Sequence, residues 1–107
     1  MLVLAGDIGG TSTRLAFFDA ADGQLALLAE ARYPSREAGS LEEIVGRFVT
    51  EQGLAAERAC FGIAGPVRDG RVRTPNLPWS VSADELARTL GLAKVQMIND
   101  LAANAFG

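Results

Sequence analysis

The chain contains no histidine and only one cysteine. Without histidine there is no Ser-His-Asp triad and no zinc site built from Cys and His ligands. Cys60 has no partner in the chain, so no internal disulfide framework holds the fold. Any general base must therefore be a carboxylate, Lys94, Tyr33 or Cys60. Positive charge is also scarce. Ten Lys and Arg against 13 Asp and Glu leave a formal net charge of -3, which argues against a nucleic-acid partner, since such a partner calls for a basic face. No apolar run approaches the ~20 residues of a membrane span. The opening Met1-Leu2-Val3-Leu4-Ala5 has no basic region before it and meets Asp7 at once, unlike a secretory signal. A cytoplasmic protein with neither nucleic-acid nor membrane partners is expected. Internal repeats and low-complexity tracts are absent as well.

What remains is ordinary globular material. The 107 residues are 49% hydrophobic, enough for one domain with a packed core. Leu2–Ala5 reads as a buried strand and Leu15–Asp19 as a second, with Leu15 and Phe17 on one face. Asp22-Gly23 is a hairpin turn signal. Gln24–Tyr33 supplies the third strand of an antiparallel meander, stopped by Pro34. Ser40 and Glu43 form a capping-box pattern before a helical stripe of Leu41, Ile44, Val45, Phe48 and Val49, and Gly53 stands where the helix would end. Ala59–Ala64 is a fourth strand, apolar on both faces and expected in the middle of the sheet. Val67–Val72, around Asp69-Gly70, reads as a small hairpin. Two prolines keep Thr74–Trp79 irregular. Ser82 and Glu85 repeat the capping pattern, Gly91 closes that helix, and Val95–Ile98 is the last strand. A helix opens at Asn99 and has no room to finish packing, so the expectation is the first domain of a longer protein. The layout is α/β with a mixed sheet.

Two stretches carry chemistry. In Gly6-Asp7-Ile8-Gly9-Gly10-Thr11, glycines let backbone N–H groups approach phosphate oxygens closely. Thr11 adds a hydroxyl, Arg14 adds charge, and Asp7 can hold Mg²⁺ directly or through its waters. The stretch is neither a Walker loop nor a dinucleotide turn. At Ile98-Asn99-Asp100 a strand leads into a carboxylate. An Asp of pKa ~3.9 is charged at neutral pH and can accept a proton from an alcohol as its oxygen attacks phosphorus. Asn99 can orient a polyol. Both residues also suit a helix cap. Gly65 can offer a backbone contact to a ligand, and Asn76 can form part of a substrate lip walled by Trp79. Phosphoryl transfer from a nucleotide to an alcohol follows from the two stretches together.

Four segments, Gly6–Thr11 with Arg14, Phe61–Pro66, Thr74–Trp79 and Ile98–Ala103, resemble bacterial glucokinases in order and spacing. The resemblance spans essentially the whole chain. It implies the ribonuclease H-like (actin-like ATPase) fold shared with hexokinase, with a mixed sheet and a three-strand antiparallel meander flanked by helices. Residues 1–107 would be the N-terminal small domain, and the C-terminal large domain, with further sugar-binding acids, a histidine and the adenosine pocket, would lie beyond. The implied reaction is ATP-dependent, Mg²⁺-assisted phosphorylation of glucose to glucose 6-phosphate. By position, Asp100 resembles the catalytic base and Asn99 a glucose ligand. Gly9, Gly10 and Thr11 resemble the first phosphate turn, and Asp7 the acid near the metal. Ser12 departs from the pattern, since many relatives carry Asn there. The alternatives are a kinase for fructose or an amino sugar, a non-catalytic sugar-binding domain, and a domain that pairs with a second copy as a homodimer. The domain alone is expected to be catalytically inert.

Overall fold

Alternation of apolar and small residues builds the sheet. The computed structural model describes residues 1–9, 11–63, 71–73 and 80–99. Strand β1 (Leu2–Ile8) pairs antiparallel with β2 (Ser12–Ala21), which pairs antiparallel with β3 (Gln24–Pro34). Strand β4 (Arg58–Ile63) lies parallel to β1 on its other side, and β7 (Gln96–Asn99) lies parallel to β4. The five-stranded order is β3-β2-β1-β4-β7. A second, two-stranded sheet joins β5 (Arg71–Arg73) to β6 (Ser80–Ser82).

Local signals place the turns and helix ends. Asp22 (φ 53) and Gly23 (φ 75) both have positive φ, the requirement of a type I′ turn whose twist matches its strands. Helix α1 (Leu41–Gln52) begins at Ser40, whose Oγ accepts the Glu43 N–H at 3.2 Å, and ends at Gly53 in the left-handed region. Glu43 reaches back to the Gly39 N–H, 3.0 Å from Oε2, instead of to the Ser40 N–H. Helix α2 (Ala83–Leu90) repeats the scheme with Ser82 and Gly91. A serine cap of this kind is worth about 1 kcal/mol.

Both helices pack on one face of the large sheet. The core there joins Leu4, Ile8, Leu15, Phe17, Phe61 and Ile63 to Leu41, Ile44, Val45 and Phe48 of α1 and to Leu86 and Ala87 of α2. Phe17 and Phe48 stack at 5.3 Å, and Tyr33 meets Phe48 edge-on at 6.4 Å. Such a pair contributes about 0.5–1.5 kcal/mol beyond its buried area. The other face carries Val3, Ala5 and Asp7 of β1, Arg14, Ala16 and Phe18 of β2, and Cys60 and Gly62 of β4, as the alternating register requires.

Several expectations change. β1 runs through Gly6, Asp7 and Ile8, so these residues are strand and not turn. Pro34 belongs to β3, which tolerates it because an edge strand leaves one side of its backbone unpaired. β4 is an interior strand between β1 and β7, as expected, but it is not buried on both faces, since only Ala59, Phe61 and Ile63 are buried. Arg71–Arg73 pairs forward with Ser80–Ser82, a strand not foreseen. Residues 67–70 of the expected hairpin, the Thr74–Trp79 segment, and the helix beyond Asn99 lie outside the described residues, and Asn99 itself ends β7.

Tyr33 links β3 to α1. Its hydroxyl donates to Glu51 Oε2 at 3.1 Å. Burial first, then that hydrogen bond and the Glu51 charge, push the phenol up to about 12, against a smaller opposing pull from Arg47. A folded-state pKa above the unfolded value of ~10 stabilises the fold below pH ~10, and this contribution fades as pH rises through about 12. Because the chain has one tyrosine, tyrosinate absorbance should titrate near 12 in the folded chain and near ~10 once unfolded. A folded-state midpoint near ~10 would show that neither burial nor Glu51 holds the phenol protonated.

Candidate active site

Parallel strands in register end together. Ile8 of β1 faces Ile63 of β4, and Ile63 faces Asn99 of β7. The turn that leaves β1 and the end of β7 therefore lie at one edge of the sheet, two strand spacings or roughly 10 Å apart. This is the carboxyl edge of the parallel strands, where open α/β sheets bind ligands.

The β1–β2 turn is held from beneath. The Gly9 N–H donates to the Ser12 carbonyl at 3.0 Å, and the Ser35 N–H donates to the Thr11 carbonyl at 3.1 Å. Ser35 Oγ donates to the Gly9 carbonyl at 2.7 Å and lies 2.8 Å from Thr13 Oγ1. A hydroxyl has one proton. Since Ser35 spends its proton on Gly9, Thr13 must donate to Ser35. Ser35 and Thr13 are both 0% exposed, and burying hydroxyls is tolerated when they are paired in this way. Gly9 does not have positive φ, but a Cβ there would come within 3.0 Å of the Ser12 carbonyl. Its lack of a side chain serves close backbone approach.

Asp7 sits two residues before this turn, exposed on the helix-free face. Across the strands it faces Arg14. The Arg14 guanidinium lies 3.9 Å from Glu30, with both side chains about half exposed, so water screens the pair and little holds it together. Asp7, Arg14 and Glu30 rim a hollow of about 260 Å³ floored by Ala5, Ala16 and Phe18. A larger hollow of about 700 Å³ lies at the opposite, amino edge, beside Met1, Arg58 and Lys94. It holds none of the motif residues. Cys60 lines it, and burial pushes its thiol pKa up, which keeps the less reactive protonated form.

The structure brings Asp7, Gly9, Thr11 and Arg14 together around the β1–β2 turn and puts Asn99 at the same edge. Gly10, Gly65, Asn76 and Asp100 lie outside the described residues. Ser35 and Thr13 are the participants that sequence reasoning missed. For Thr13 a signal existed, since it is a polar residue at a core-facing position of β2. For Ser35 none did.

A family model for glucokinase matches residues 4–107. Glucokinase from Synechocystis sp. is 40% identical over 115 residues, covering 97% of this chain and 32% of the relative. The crystal structure of glucokinase from an Antarctic psychrotroph superposes with a TM-score of 0.86 at 32% identity, covering 98% of this chain and 34% of that one. A ROK family glucokinase from Streptomyces griseus, solved with glucose and AMPPNP, superposes with a TM-score of 0.70 at 28% identity, over 98% of this chain and 35% of that one. The chain thus spans about a third of the length of the curated relatives it matches. The mixed five-stranded sheet is the actin-like ATPase fold that the sequence led one to expect. By its motifs, its fold and a family match across nearly its full length, the chain belongs to the glucokinase family.

Proposed function

We propose that residues 1–107 are the N-terminal small domain of a cytoplasmic glucokinase that transfers the γ-phosphoryl group of ATP to the 6-hydroxyl of glucose. The supporting observation is the register that ends β1, β4 and β7 on one row, because it sets the glycine turn and the Asn99 end of β7 a substrate's width apart. A relative solved with both glucose and AMPPNP superposes on 98% of this chain. Among the described residues no helix is long and apolar enough to cross a membrane. The net charge of -3 disfavours nucleic acid.

In this reading the backbone donors of Gly10 and Thr11 hold phosphate oxygens, Gly9, whose own N–H is taken by the Ser12 carbonyl, shapes the turn that presents them, and Arg14 turns from its weak contact with Glu30 to add positive charge. Asn99, Asn76 and Gly65 orient the sugar. Asp100 accepts the 6-hydroxyl proton as oxygen bonds to phosphorus and the bond to the ADP oxygen breaks. Asp7 would hold Mg²⁺. Asp7 is a single exposed carboxylate near the end of β1, a donor that suits an ion keeping several waters and taking other oxygens from phosphates. When bound, the ion supplies charge against those phosphate oxygens. A larger second domain would complete the site by closing over it and excluding water.

The test is a coupled assay of the kinase that contains this domain, with ATP and Mg²⁺, offering glucose, fructose and glucosamine in parallel. Glucose should be preferred by at least about tenfold in kcat/KM, a difference of roughly 1.4 kcal/mol. The 107-residue chain alone should read at background. Preference for another hexose would reassign the substrate, and robust turnover by the chain alone would overturn the two-domain reading.

A further inference from the structure

The geometry points to Ser35 as the positioning residue of the phosphate turn, an assignment that rests on reading the Gly9 turn as the place where nucleotide phosphates bind. Ser35 touches the turn twice. Its N–H takes the Thr11 carbonyl at 3.1 Å and its Oγ–H takes the Gly9 carbonyl at 2.7 Å. One buried residue thus holds two carbonyls of the turn, Thr11 through its backbone N–H and Gly9 through its side chain. In a trans peptide the carbonyl and the following N–H point in opposite directions. A carbonyl held inward therefore turns the donor of its own peptide plane outward, toward any anion. Left alone, a glycine-rich turn samples many peptide orientations, and carbonyls facing a phosphate would repel it. Ser35 removes that freedom before the nucleotide arrives, which lowers the cost of binding.

The support is itself fixed. Ser35 is 0% exposed, stands in a single 3₁₀ turn, Ser35–Glu37, and accepts its own hydrogen bond from Thr13 at 2.8 Å. The chain of donation runs Thr13 to Ser35 to Gly9. Only the last link reaches the turn, so the two hydroxyls are separable. Removing the Ser35 hydroxyl frees the Gly9 carbonyl. Removing the Thr13 hydroxyl leaves the Ser35-to-Gly9 bond in place and costs only the fold.

Calorimetric titration of the glucokinase carrying this domain, with MgATP and separately with glucose, distinguishes these roles without needing turnover. Ser35→Ala should raise the Kd for MgATP about tenfold, the order expected for one lost buried hydrogen bond, while the glucose Kd shifts less than about twofold. Ser35→Cys, close in volume and keeping a weak donor, should fall between, and it carries the test if Ser35→Ala does not fold. Thr13→Val should lower Tm as Ser35→Ala does yet weaken MgATP less than about twofold, a bound set by the intact Gly9 bond. In steady state the Ser35 variants should raise KM for ATP more than they lower kcat. MgATP and glucose weakening together, or Ser35 and Thr13 variants behaving alike, would reduce Ser35 to a structural residue. Failure of the unsubstituted enzyme to bind MgATP would instead overturn the phosphate reading on which the assignment stands.

Discussion

Glucose turnover in the full-length kinase is expected to fall by about 10²- to 10⁴-fold on Asp100→Asn, the range for a lost general base. The amide has nearly the same shape and can still hydrogen-bond a sugar hydroxyl. It cannot take the proton that must leave as the oxygen attacks. Glucose KM should change little, because ground-state contacts survive and only the transition state loses stabilisation. Separate measurement of kcat and KM checks this, and near-normal kcat would remove Asp100 from the base role. With no histidine in the chain, no imidazole among these residues can take over from that carboxylate.

The second large effect is on folding and comes from a residue remote from any proton transfer. Gly6→Ala should destabilise the domain by about 1–3 kcal/mol, the usual range for overpacking a close-packed core. A Cβ at Gly6 would lie 2.4 Å from Phe61 Cδ1, 2.9 Å from its Cε1 and 3.0 Å from Leu15 Cδ2. Phe61 and Leu15 are both 0% exposed, so neither can swing into solvent. For a domain of this size the melting temperature should drop by roughly 4–8 °C per kcal/mol. Adding Phe61→Leu to Gly6→Ala should recover part of the loss, because it removes the atoms that collide. A melting temperature within about 2 °C of the parent for Gly6→Ala, well under that shift, would show that the ring gives way freely.

Gly6 also shows what sequence alone could and could not say. Its neighbours in the chain mark a glycine-rich turn, so it was grouped with Gly9. Its actual constraint is an aromatic ring contributed by β4, a contact that only pairing in register reveals. Features encoded by adjacent residues were legible: the Asp22-Gly23 turn, the serine caps at Ser40 and Ser82, and the closing glycines at Gly53 and Gly91. Each depends on a few neighbouring residues. Features that depend on distant partners were not. β6 was missed because Ser80-Val81-Ser82 is too short to show a period and gains its form from Arg71–Arg73. β4 was read as apolar on both faces because Cys60 and Gly62 are small and uncharged, which is compatible with either side. At the site, Asp7, Gly9, Thr11 and Arg14 announced themselves by type and spacing. Ser35 did not, since nothing beside it in the chain hints that it lies under Gly9.

The matched row of Ile8, Ile63 and Asn99 has one more implication, for how such a site tolerates evolutionary change. Side chains along a strand alternate sides, so removing or adding one residue in β7 would invert everything downstream while shifting it only about 3.3 Å. Met97 packs against the hydrophobic core and thereby fixes itself on the same side of the sheet as its register partner Phe61. The facing of β7 is therefore decided by an apolar contact and not by any polar residue of the strand. Substitutions along this strand can be gradual, but its length is counted in twos.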